Sequence, residues 1–115
     1  MQNIIIVNKK INLAEIKKLA SETFGDMVKG VADIERKIIA LGGEMHADAE
    51  EILLANGSVQ ANLWGFNIYP EQSPENFIEF HSLINIRPAQ NNRSMNIESK
   101  EIQNSIKEII QSLIV

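Results

Sequence analysis

Residues 27–41, MVKGVADIERKIIAL, decide the fold, because they satisfy two incompatible templates. Val31, Ile34, Ile38 and Leu41 fit the stripe of one helical face. Read as strands, Val28, Gly30, Ala32 and Ile34 make one small or apolar face, and residues 33–36 form a turn before 38–41. Periodicity alone leaves both readings open.

Outward from this stretch the signals are plainer. Ile4-Ile5-Ile6-Val7 is a β-branched run that reads as a short strand or a packed arm. Asn12 and Glu15 have the spacing of a capping box ahead of Leu13, Ile16, Leu19, Ala20 and Phe24, which share a helical face that Gly25 ends. After Gly42-Gly43, Met45, Ala49, Ile52 and Leu53 recur at helical spacing, and Asn56-Gly57 supplies a C-cap. Trp64, Phe66 and Ile68 alternate with Gly65, Asn67 and Tyr69 up to Pro70, a strand pattern.

Residues 77–87 alternate as well. Ile78, Phe80, Ile84 and Ile86 lie on one side, interrupted by Ser82, while Glu79, His81, Asn85 and Arg87 lie on the other. The stretch 89–97 is rich in Asn and Gln and reads as a mobile loop. Ser99 then caps a last helix carrying Ile102, Ile106, Ile109, Ile110 and Leu113.

The expected order is β-α-β-β-α-β-β-α: a single α+β domain over residues 1–115, with an antiparallel meander of about four strands and helices packed on one face. Length and composition agree with this, since 115 residues with 44% hydrophobic and 23% charged side chains can build one core and lack the signature of disorder. The absence of cysteine excludes disulfides, thiolate metal sites and a cysteine nucleophile. A net charge of -4 with scattered basic residues argues against nucleic acid as a partner. The apolar run at 4–7 is too short for a signal peptide or a membrane span, so a cytoplasmic protein without membrane attachment is expected.

Four spaced motifs look familiar together: Asp33-Ile34-Glu35-Arg36, Gly43-Glu44-Met45-His46-Ala47-Asp48-Ala49-Glu50, Leu63-Trp64-Gly65-Phe66-Asn67-Ile68-Tyr69-Pro70 and Ile84-Asn85-Ile86-Arg87-Pro88. With them the chain resembles, from about residue 13 onward, a family of small uncharacterised prokaryotic proteins known only as a domain of unknown function. The resemblance implies the two-strand form of 27–41. It also implies an acidic residue more often than histidine at position 81, which counts against a mechanism resting on His81. It carries no activity and no site residues.

If the strands form such a sheet, its mixed face gathers a candidate binding surface of Asp33, Asn67, His81 and Asn85, with Arg87 at a strand end and Arg93 in the loop placed to hold a carboxylate or phosphate. The plainer reading is a solvated sheet face with weak cross-strand ion pairs and an arginine that anchors a loop. His46 and Glu50 share a helical face at i, i+4 and form a possible divalent-metal pair, with Asp33 and Glu35 as the remaining candidates. The plainer reading there is acidic residues favouring a helix N-terminus.

No P-loop, nucleophile elbow, dinucleotide fingerprint or His-Glu-x-x-His motif occurs. The sequence therefore points first to a non-catalytic binding or interaction module that uses the polar sheet face and the 89–97 loop, with self-association as a homodimer or another protein as the partner. No cofactor is expected, although the histidine and carboxylates admit a divalent metal. The alternatives are a small metal-assisted hydrolase with His46 and Glu50 as ligands, and a chain that folds only against a partner.

Overall fold

The hairpin reading is the one the chain adopts. In the computed structural model, which describes residues 3–115, the regular elements run β1 (Ile4–Val7), α1 (Leu13–Ser21), β2 (Val28–Asp33), β3 (Ile38–Gly42), α2 (His46–Ala55), β4 (Leu63–Ile68), β5 (Ile78–Glu79) and α3 (Lys100–Leu113). Asp33 decides the ambiguity of 27–41 locally. Its Oδ1 accepts from the backbone N–H of Glu35 (3.0 Å) and of Arg36 (2.9 Å), an Asx turn that satisfies amides a helix would otherwise use. Lys37 closes the turn in the left-handed region at φ 58°.

The helix ends follow the sequence signals. Asn12 Oδ1 accepts from Glu15 N at 2.9 Å to start α1, and Ser99 Oγ accepts from Ile102 N at 3.3 Å to start α3. Gly57, at φ +106°, ends α2.

The class is α+β, as expected, and the sheet is antiparallel throughout, but its layout differs from the expected meander. Five strands lie in the order β1-β3-β2-β4-β5, so β1 joins as an edge beside β3 and β4 returns to the far side of β2. Helices also cover both faces, not one. On the first face Val7, Val28, Ala32, Ile39, Leu41, Trp64, Phe66 and Ile68 pack with Ile16, Leu19 and Ala20 of α1 and with Ile106, Ile109, Ile110 and Leu113 of α3. On the second, Val31, Ile38, Ala40 and Leu63 pack with Ala49 and Leu53 of α2. The reason lies in β3, where every residue from Ile38 to Gly42 is buried: an unbroken apolar run has no solvent side and draws helices to both.

The expected strand over 77–87 is the second correction. Only Ile78 and Glu79 pair with β4; beyond them the chain makes isolated bridges at His81 with Asn96 and at Arg87 with Asn92, a 3-10 turn over Leu83–Asn85 and another over Pro88–Gln90. Strand pairing stops because side chains replace it. Asn85 donates from Nδ2 to Gly65 O (3.0 Å) and accepts from Gly65 N at Oδ1 (2.8 Å), so one amide does the work of a strand backbone at the edge of β4. Ser82 presses so close to β4 that a Cβ on Gly65 would lie 2.5 Å from the Ser82 Cβ.

The loop at 89–97 is tightly cross-braced rather than loosely held. Asn92 is buried and donates from Nδ2 to Asn85 O (2.7 Å), Ser94 O (2.9 Å) and Asn96 O (2.9 Å), while its Oδ1 accepts from Glu98 N (2.8 Å). Glu98 caps the amides of Arg93 and Ser94, and these bonds hold its carboxyl below the ordinary carboxylate range. Among the described residues, no helix is long and apolar enough to cross a membrane.

Candidate functional site

Strand register places three polar side chains abreast on the second sheet face: Lys29 of β2 opposite Asn67 of β4, and Asn67 opposite Glu79 of β5. By the two-residue alternation of strands, Met27 and Tyr69 extend the same face. The N-terminus of α2 lies over one side and the 82–84 turn with Met95 over the other, enclosing a cavity of about 360 Å³. Its floor is polar and its walls are mainly apolar, with Met27, Met45, Ala47, Leu83, Ile84 and Met95 among them. A neighbouring cleft of about 370 Å³ shares Tyr69 and Glu79, but the 72–76 turn contributes only exposed side chains to it.

His46 is the centre of the cavity. It is 8% exposed, and its Nε2 lies 2.9 Å from both Phe66 O and Asn67 Oδ1. A carbonyl can only accept, so Nε2 carries the proton and Nδ1 keeps the lone pair. Nδ1 is not among the buried polar atoms left without a partner, and His46 lines the cavity. Burial is the main cause that holds the imidazole pKa below its ordinary value; Lys29 and His81 add to it, against the opposing pull of Phe66 O and Asn67. The ring is therefore neutral at physiological pH.

A chain of hydrogen bonds fixes this arrangement from behind. Asn67, 5% exposed, donates from Nδ2 to Glu79 Oε1 (2.8 Å) and His81 O (3.3 Å), which turns its Oδ1 toward His46. Tyr69 donates its hydroxyl to the same Glu79 oxygen at 3.1 Å, and burial followed by that carboxylate raises the phenol pKa. His81 is held through Nδ1, 3.0 Å from Asn96 Oδ1.

The residues singled out in the sequence separate into two groups. His46, Asn67 and His81 meet in the cavity, and Asn85 braces its wall by donating to Met95 O at 3.1 Å. Asp33 does not join them: it pairs in register with Leu63, four residues along β4 from Asn67, or roughly 13 Å at strand rise. Its side chain serves the β2–β3 turn, as does the backbone of Glu35. Arg87 is an anchor. Its guanidinium lies 4.0 Å over the Trp64 ring and donates to Gln60 O (2.7 Å), Leu63 O and Gln90 Oε1 (3.1 Å). Burial lowers its pKa, and the Glu50 carboxylate opposes that shift. Arg93 is exposed beside Glu98 and away from the cavity.

The expected ligand set His46, Glu50, Asp33 and Glu35 is not assembled. Among the described residues no three His, Asp or Glu side chains group as a metal cluster. Ser82, which borders the cavity, accepts from Ile84 N at 3.3 Å through its Oγ.

A protein-family model described as a protein of unknown function, DUF5674, matches residues 5–113. The chain belongs to that family. No curated protein and no solved structure matches it. Membership brings no reaction or ligand, so the chemistry rests on the cavity itself.

The sequence missed Tyr69 and the methionines. Tyr69 and Met27 are within reach, because Tyr69 continues the alternation from Asn67 and Met27 that from Asp33. Met45 is carried in by the first turn of α2 and Met95 by the folded loop; neither position has a local signal.

Proposed function

We propose that the chain is a non-catalytic binding module that takes a small ligand into the cavity beneath the N-terminus of α2. The polar sheet face supplies its floor and the 89–97 loop supplies one wall. One observation carries the reading: a buried, neutral His46 that lines the cavity and is held in a single tautomer by Phe66 O and Asn67, which leaves the lone pair on Nδ1. Such preorganisation suits an acceptor that meets a donor or cation on the ligand. The cysteine-free composition suits a cytoplasmic setting.

Ala47 is exposed on α2 and borders the cavity, so Ala47→Trp should fill the entrance without touching the core. A thermal-shift panel of amino acids, nucleosides, sugar phosphates and metal salts should raise the melting temperature of the parent protein with at least one class, and that rise should disappear in Ala47→Trp. A panel that stabilises both proteins equally, or neither, would count against the cavity as the site.

A further inference from the structure

We infer that the ligand of this cavity is a soft monovalent metal ion of the Cu(I) class, held by His46 Nδ1 and methionine thioethers, with His81 at the rim. The inference deepens the binding reading above and rests on it. The chain has two histidines and four methionines, and the cavity is lined by both histidines and by Met27, Met45 and Met95; Met1 lies outside the described residues. These five side chains come from separate places: ahead of β2, the start of α2, the segment after β5 and the 89–97 loop. The fold, not sequence proximity, collects them.

Core packing is the ordinary use of methionine, and it does not account for these three. None of them belongs to the buried core, and Met45 is 56% exposed. Thioether and imidazole are the donors that select Cu(I), whereas carboxylates and carbonyls suit hard divalent ions, and no carboxylate cluster is present among the described residues. The charges agree with a monovalent guest. Glu79 offsets Lys29, whose ammonium is turned toward the Phe24 ring at 5.0 Å, and neither faces a second carboxylate across the cavity. A metal-binding imidazole commonly gives its other N–H to a backbone or side-chain acceptor, and His46 does this through Phe66 O and Asn67 Oδ1. Asn67 is then a positioning residue acting through His46.

The test is an anaerobic titration of the full chain, labelled with ¹³C at the methionine methyl groups, with Cu(I) and in parallel with the redox-inert Ag(I). One equivalent should saturate the site and move the Met27, Met45 and Met95 methyl signals together, leaving Met1 in place. Met45→Leu, a near-isosteric change at an exposed position, should keep the fold and weaken binding by about tenfold or more, and Zn(II) should move none of these signals. Disturbing the Asn67 hydrogen bond with Asn67→Ser should cost roughly 10–100-fold in affinity and shift the His46 ring ¹⁵N signals even without metal. The inference is overturned if Ag(I) moves only Met1, if Met45→Leu binds as tightly as the parent, or if Zn(II) binds equally well. A flat Ag(I) titration alongside an organic compound that stabilises the parent but not Ala47→Trp would remove the metal and leave the binding module; two flat results would remove both.

Discussion

Asn85→Ala should lower the unfolding free energy by about 2–4 kcal/mol, a large loss for an uncharged side chain in an irregular segment. The side chain is fully buried and holds Gly65 N, Gly65 O and Met95 O at once. Removing it leaves a donor and two acceptors of the backbone shielded from water with nothing in place of the amide. Asn85→Asp should not rescue the loss, since a carboxylate cannot donate to either carbonyl and would bury a charge. Urea unfolding followed by tryptophan fluorescence measures both variants, with Trp64 one residue from the affected backbone. A cost below about 0.5 kcal/mol, the usual range for surface positions, would mean that 80–97 is not docked on β4 in the way described.

Leu53→Ala should cost about 2–5 kcal/mol, the range for a large-to-small change at a sealed core position. Leu53 belongs to α2 and is fully buried against the second sheet face with Val31, Ala40 and Leu63. If helices covered only one face, this side chain would stand in solvent and its truncation would be nearly silent. Because α2 carries His46 and Ala47 and follows directly on Met45, the variant should loosen the cavity as well, and its response to any ligand of the parent should fall with its stability. Equilibrium unfolding decides the first point and ligand-dependent melting the second.

The helices were legible because their signals are local. Asn12, Ser99 and Gly57 act within a turn of where they stand, and the stripe on α3 needs nothing but its own period. The hairpin at 27–41 was only half legible, since Asp33 stops a helix by a side-chain geometry that no hydrophobic count registers. The two-sided burial is present in the unbroken apolar run Ile38-Ile39-Ala40-Leu41, which contradicts a sheet with one wet face. The segment after β5 departs from its pattern for the opposite reason. Alternation continues through Asn85 and Arg87, but their side chains take up backbone groups of β4 and of the 60–63 turn, and this ends the strand.

The same limits shaped the site. Lys29, Asn67 and Glu79 are joined by strand register, which follows from alternation once the pairing is known. Asp33 shares a face with Asn67 by alternation, while its position at the far end of β2 depends on register, which periodicity does not carry. Asn85 and Arg87 have the residue types of a binding surface and the hydrogen bonds of a brace. His46 was singled out as a metal candidate with Glu50, yet its partners proved to be Asn67 and the backbone of β4.

Everything proposed for this chain needs the start of α2 and the 89–97 loop to face each other across Asn67. A nuclear Overhauser spectrum of the protein labelled at its methionine methyl groups reads this without a ligand or a mutation. Cross-peaks from the Met95 and Met45 methyls to the ring protons of His46 and His81 are the expected result. Cross-peaks from those methyls to solvent-exposed neighbours alone, with none to either imidazole, would contradict the cavity and the function built on it.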